Sequence, residues 1–173
     1  MSRSGYVDYD GDDPLAEGRW RAAVRSALNG KRGQAALREI AAAMDAMPQR
    51  ALIGESLVTA EGEYCTLGVL GCARGLDMHD VDPEDWDAVA KLFGIAPSMV
   101  REIVYQNDEC EIEWDYVDVV ICGPMPPYHF PPYGQKRHER TVRVPRDPEA
   151  ISANRWKRMR AWVESSIKEH PND

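Results

Sequence analysis

The sequence predicts an α+β protein, with a mainly helical body of about five helices and a β-hairpin appendage. Three observations predict it. Apolar residues recur at helical spacing in several segments, each bounded by Gly, Pro or a capping Asp. Glu111–Cys122 and Arg140–Val144 alternate as strands do, on either side of a proline-rich stretch. The chain has 173 residues, 43% of them hydrophobic, which is enough for one core with an appendage. The expected division is a flexible N-terminus over 1–12, a helical body over 13–110, a hairpin over 111–146, and a C-terminal helix over 147–170 that completes the body.

Residues 1–12 are polar and expected to fray. Asp8, Asp10 and Asp12 imitate the start of a calcium loop, but Asp13 and Arg19 stand where that loop needs glycine and glutamate. Asp13-Pro14 then opens a first helix running to about Leu28, with Trp20, Val24, Ala27 and Leu28 inward. Gly30-Lys31-Arg32-Gly33-Gln34 is expected to join it to a second helix, Gln34–Met47. That helix has Leu37, Ile40, Met44 and Met47 on one face, and Pro48 ends it. Lys31 and Arg32, beside two glycines and a helix N-terminus, form an alternative anion-binding candidate, although Walker spacing is missing.

Ala51–Thr59 reads as extended and Glu61-Gly62 as a turn. Tyr64–Arg74 reads as a buried helix whose Gly68 and Gly71 allow close packing. Cys65 and Cys72 are expected to be small core residues, since no histidine or CxxC spacing accompanies them. The next helix is expected to start with Asp82 as N-cap and Pro83 in the first position. Its stripe is Val89, Leu92 and Phe93, and Gly94 allows a sharp exit. Pro97 opens another helix with Met99, Val100, Ile103 and Val104 inward.

After the strand at 111–122 comes GPMPPYHFPPYG, whose five prolines exclude helix and central strand. Tyr128, His129, Phe130 and Tyr133 on this tip are partner-binding candidates, offering rigid aromatic contact area. Cys110, Cys122, His129 and His138 match no familiar zinc spacing, so no metal and no cofactor is expected. Asp147 caps the last helix and Pro148 takes its first position. Ile151, Trp156, Met159, Val163 and Ile167 should face inward, and Arg155, Lys157, Arg158 and Arg160 outward toward the acidic helix pair.

Trp86–Tyr105 resembles a helix-turn-helix. Ala90 stands four before the turn glycine Gly94, and Val89, Phe93, Ile95, Val100 and Ile103 occupy the packing positions. That resemblance implies an alternative DNA-binding regulator using Ser98, Arg101 and Gln106. Charge argues against it. Asp77–Asp118 holds thirteen Asp or Glu against Lys91 and Arg101, a net of −11, and the whole chain carries −8. Residues 19–50 carry +5 and residues 134–168 carry +6. Asp80, Asp82, Glu84 and Asp87 are therefore read as partner-binding candidates on an acidic surface that imitates nucleic acid electrostatically.

No apolar run approaches the ~18 residues of a membrane span, and the N-terminus lacks a signal-peptide core, so an intracellular protein with reduced thiols is expected. No triad, paired carboxylate or phosphate loop stands out, so no catalytic residue is named and no enzyme is expected.

The pieces GKRGQ (30–34), FGIAP (93–97) and RWKRMRAWV (155–163) resemble small phage and prophage proteins of unassigned function. The resemblance extends over residues 19–48, 61–78, 82–109 and 155–163 and implies a phage or prophage source, a mostly helical body and the host cytoplasm as location. It implies no reaction. The expected function is an accessory binding protein acting through contacts with a host or phage protein, self-association included. Nucleic acid is the lesser partner and a membrane is excluded.

Overall fold

Six α-helices, one π-helical turn and a two-stranded antiparallel sheet make up the described part of the chain. The structure is a computed structural model and describes Ser4, residues 15–120 and residues 139–168. Apart from Ser4, the N-terminus expected to fray, the aspartates at 8–12 and the Asp13-Pro14 start lie outside the described residues. So do Cys122, Tyr128, His129, Phe130, Tyr133 and His138. The α+β class, mainly helical, is the one the periodicities predict. The chain divides into two compact units. One holds residues 1–111 and 152–173, the other residues 112–151.

In the first unit, α1 (Ala16–Asn29) and α2 (Lys31–Asp45) are separated by Gly30 alone. The expected five-residue loop is thus a single residue, and Lys31 and Arg32 belong to the first turn of α2. The reason lies in Gly33. A Cβ there would stand 2.0 Å from the Ala27 carbonyl oxygen, so only glycine lets α2 cross α1 so closely. Gln34 is buried and ties three segments together. Its Nε2 donates to the Leu28 and Ser166 carbonyls, both at 2.9 Å, and its Oε1 accepts from Lys168 N at 2.8 Å. Leu37, Ile40 and Met44 are buried as expected.

Residues 51–64 form no strand. One bridge, Val58 to Tyr64, closes a turn at Thr59–Glu63. α3 (Thr66–Ala73) follows. Cys65 caps it, with Sγ accepting from Gly68 N at 3.5 Å. Cys65 is a core residue, but Cys72 is exposed, contrary to expectation. α4 (Trp86–Phe93) begins three residues later than a cap at Asp82 would place it. Asp82 instead closes a local turn by accepting from Glu84 N, and Asp85 caps the helix by accepting from Ala88 N at 3.0 Å. Gly94 leaves α4 at φ +62°, the left-handed conformation, and the amides of Gly94 and Ile95 both return to the Ala90 carbonyl.

α5 (Pro97–Val104) buries Met99, Val100, Ile103 and Val104. It runs on into a π-helical turn, Tyr105–Glu109. The first unit also takes α6 (Pro148–Ser166) from Ser152 onward. Trp156, Met159 and Val163 join the core, with Leu67, Leu70, Val89 and Phe93 from α3 and α4. Each fully buried aliphatic or aromatic side chain contributes roughly 1.5–3 kcal/mol. Arg155 lies on this inward stripe, only 6% exposed, and so departs from the outward face expected of it.

The second unit is a hairpin of β1 (Trp114–Val120) and β2 (Glu139–Pro145), with the first residues of α6. Val117 pairs with Val142 at the centre of the register. Asp147 Oδ1 accepts from Glu149 N, so the cap and the Pro148 start of α6 stand as expected.

Candidate functional site

The helix pair α4–α5 is joined by a short turn at residues 94–96, and its outer residues are engaged within the fold. Ser98 Oγ donates to the Ala23 carbonyl of α1 at 3.4 Å. The Arg101 guanidinium lies 3.8 Å from the Trp20 ring centroid and 4.3 Å from that of Trp86. Its Nε donates to the Ser4 carbonyl at 2.7 Å. Gln106 Nε2 donates to Glu102 Oε1 at 3.0 Å, one turn back. α1 therefore packs over the helix that a DNA reader would insert into a groove.

The π turn explains what α6 does. Widening the helix at Tyr105–Glu109 frees carbonyls from the usual helical ladder. Arg155 Nε donates to the Asn107 carbonyl and its Nη1 to the Leu52 carbonyl, both at 3.0 Å. Arg158 donates to the Gln106 and Asn107 carbonyls and pairs with Glu111 at 3.3 Å. Arg155 and Arg158, expected to face the acidic helix pair, thus bind backbone carbonyls of the π turn and of Leu52 instead. Arg160 turns instead to Asp45 at the end of α2.

Lys31 and Arg32 are exposed on the first turn of α2, where Gly30 supplies no side-chain cap. The two residues beside them that are buried, Gly33 and Gln34, are occupied by helix packing. Asp80, Asp82, Glu84 and Asp87 are all exposed, and Asp77 and Asp85 lie exposed beside them. These acids are near neighbours in the segment that leads into α4.

A cleft of about 860 Å³ opens between α1, the π turn and the end of α6, with Trp20, Val24, Leu28 and Tyr105 among its lining residues. Sequence reasoning missed it, because its walls come from three distant segments. Arg21, Arg25 and Lys168 line it against Glu17 and Glu102, and it includes the last residues of α1 and α6, whose carbonyl ends are partly negative. The lining thus carries charges of both signs. The Tyr105 hydroxyl beside it is held above its ordinary value by the neighbouring Cys110, whose own thiol burial pushes up. Among the described residues no group of His, Cys, Asp or Glu is arranged to hold a metal.

Among the described residues, the exposed large apolar side chains other than Leu15 lie between Ile112 and Val144. Opposed residues share a face. One face holds Trp114, Tyr116, Asp118 and Val120 with Pro145, Arg143, Thr141 and Glu139. The other holds Asp115, Val117 and Val119 with Val144, Val142 and Arg140. Tyr116 is 65% exposed and Val120 70% on the first face, Val117 44% and Val144 42% on the second. Asp115 Oδ1 accepts from Arg146 Nε and Nη2, at 2.9 and 2.6 Å, and that guanidinium holds the carboxyl below its ordinary range. Sequence reasoning placed the contact on the tip aromatics and overlooked the strand faces. The signal was there in the valines of both strands.

Comparison with known protein families, with curated proteins and with solved structures gave no match. No helix among the described residues is long and apolar enough to cross a membrane.

Proposed function

We propose that this chain is an accessory binding protein of phage or prophage origin, acting through protein–protein contacts made by its β-hairpin. One observation carries the reading. Among the described residues, six large apolar side chains of β1 and β2 are exposed on this two-stranded sheet, and Ile112 just before it is exposed as well. An isolated two-stranded hairpin is at best marginally stable in water, and contiguous exposed apolar patches mark interaction sites. The acidic surface at Asp80, Asp82, Glu84 and Asp87 supports a second contact, with a basic host protein for which it competes against nucleic acid. The phage source rests on the GKRGQ, FGIAP and RWKRMRAWV pieces.

A helix-turn-helix regulator is the rival, and the engagement of Ser98 with Ala23 and of Arg101 with Trp20 and Trp86 weighs against it. The test is co-purification from the host cell, comparing the intact chain with one whose residues 114–145 are replaced by a short turn. A partner held by the intact chain, lost by the variant and rebinding the purified protein supports the reading. Identical capture by both chains overturns it. A sequence-specific DNA complex at low salt, abolished by Arg101→Ala, would favour the rival.

A further inference from the structure

We infer that the cleft beside α1 binds a medium-chain aliphatic carboxylate, with the carboxylate at the end where α1 and α6 finish. The site does not involve the hairpin, since the residues lining the cleft belong to the first unit. Glu17, Trp20, Arg21, Val24, Arg25 and Leu28 recur at helical spacing, so α1 turns one continuous face to the cleft. From Trp20 to Leu28 that face runs about 12 Å, at 1.5 Å per residue. The cleft holds about 860 Å³, within the usual range of small-molecule sites. Val24 in its lining is buried and Leu28 half-buried, and both are aliphatic. Arg101 already covers one face of the Trp20 ring, 3.8 Å from its centroid. An alkyl chain therefore suits this lining better than a stacked ring.

Charge sets the sign of the ligand and its direction. Gln34 Nε2 donates to both the Leu28 and the Ser166 carbonyls, so the ends of α1 and α6 meet at one end of the cleft. Lys168 lies at that end, and Arg25 stands one turn before Asn29 on α1. Trp20 meets α5 at the other end through Arg101, next to Glu102. The acids of the cleft are engaged. Glu17 pairs with Arg21, and Glu102 Oε1 accepts from Gln106 at 3.0 Å. Among the described residues no carboxylate pairs with the Arg25 guanidinium or the Lys168 ammonium. The helix ends do not cancel these two cations, because their carbonyls are already bound. Ser26 O accepts from Gly30 N, the Leu28 and Ser166 carbonyls from Gln34, and the Lys168 carbonyl from Arg38. A carboxylate at this end meets two cations that lack an anion, while its chain covers Leu28 and Val24 on the way to Tyr105.

The test is isothermal titration of the full chain with decanoate at low salt, below its micellar concentration. Decanol and decylamine serve as the neutral and cationic probes. Decanoate should bind saturably, one molecule per chain and at least about tenfold more tightly than decanol, with decylamine weaker still. Arg25→Gln combined with Lys168→Gln should weaken decanoate at least about tenfold, with an unchanged circular dichroism spectrum. Arg25→Gln is also read alone, because Glu169 follows Lys168 in the sequence, and should weaken decanoate at least about threefold. Ser165→Trp fills the cleft from an exposed position and should abolish binding. Lys157→Gln, exposed on α6 but not in the cleft lining, should leave binding unchanged. A folded wild-type chain that takes up no decanoate saturably, or that binds decanol equally well or decylamine better, would overturn the inference. So would an equal loss in Lys157→Gln, or binding that survives Ser165→Trp or the double variant. The hairpin is untouched by any of these outcomes, so the proposed function stands or falls on co-purification alone.

Discussion

Arg155 Nε donates to the carbonyl oxygen of Asn107 at 3.0 Å, across 48 residues of sequence. The same guanidinium reaches Leu52. The Asn107 side chain accepts from Thr66 N and Oγ1 and donates to the Ile53 carbonyl at 2.8 Å. One π turn thus joins the 51–64 segment, α3, α5 and α6 through polar contacts in a buried place. Asn107→Ala leaves Thr66 and Ile53 without these partners. Each buried polar group stranded in this way costs about 1–3 kcal/mol. We expect Asn107→Ala to destabilise by about 2–4 kcal/mol in urea denaturation. Arg155→Met should cost a similar amount, because its methionine cannot donate to either carbonyl. A loss under about 0.5 kcal/mol for both would mean that the turn is not a structural hub.

Gly68 and Gly71 sit on one helix and should respond differently to the same substitution. A Cβ on Gly68 would stand 1.9 Å from the Leu57 carbonyl oxygen, which is backbone. A Cβ on Gly71 would stand 2.1 Å from Met78 Sδ, part of a flexible side chain that can move. Gly68→Ala is therefore expected to destabilise by about 3 kcal/mol or more, and Gly71→Ala by about 1–2 kcal/mol. Thermal unfolding of the pair checks the order, which is the decisive outcome.

Arg101 between Trp20 and Trp86 is expected to hold α1 and α4 against α5. Removing the cation with Arg101→Gln loses two cation–π contacts, together worth about 1–3 kcal/mol. Tryptophan fluorescence should shift in both intensity and maximum in the folded variant. An unchanged spectrum together with unchanged stability would show that the sandwich contributes nothing.

Asp45 and Arg160 give a pH signature with a definite sign. The hydrogen bond from Arg160 holds the Asp45 carboxyl below its ordinary value of 3.8. A depressed folded pKa means that the unfolded chain takes up the proton first. The stabilisation is therefore present above the ordinary value and lost as pH falls through the lower folded one. Asp45 is half exposed, so the pair contributes under about 1 kcal/mol. Between pH 6 and pH 2.5 the melting temperatures of the wild type and Asp45→Asn should converge by about 1–2 °C. Parallel curves would show that the pair carries no net stability.

The amino-acid sequence by itself determined the elements. The stripes of α2, α4 and α5, the exit at Gly94, the Asp147-Pro148 start of α6 and the alternation of β1 and β2 all follow from interactions within a few residues. Backbone sterics, caps and side-chain periodicity act at that range, so a local reading suffices. The tertiary structure decided how the polar residues are used. Arg155 looked like an outward cation and is a buried donor to carbonyls 48 and 103 residues away. Arg101 looked like the lone cation of the second helix, a DNA contact only in the alternative reading, and lies between two indoles, one of them on α1. Gly33 and Gln34 looked like part of a helix-connecting loop and serve a helix crossing, with Gln34 bonding to Ser166, 132 residues on. A charged or amide side chain takes its role from whichever distant group desolvates it or accepts its protons, and folding alone brings that group near.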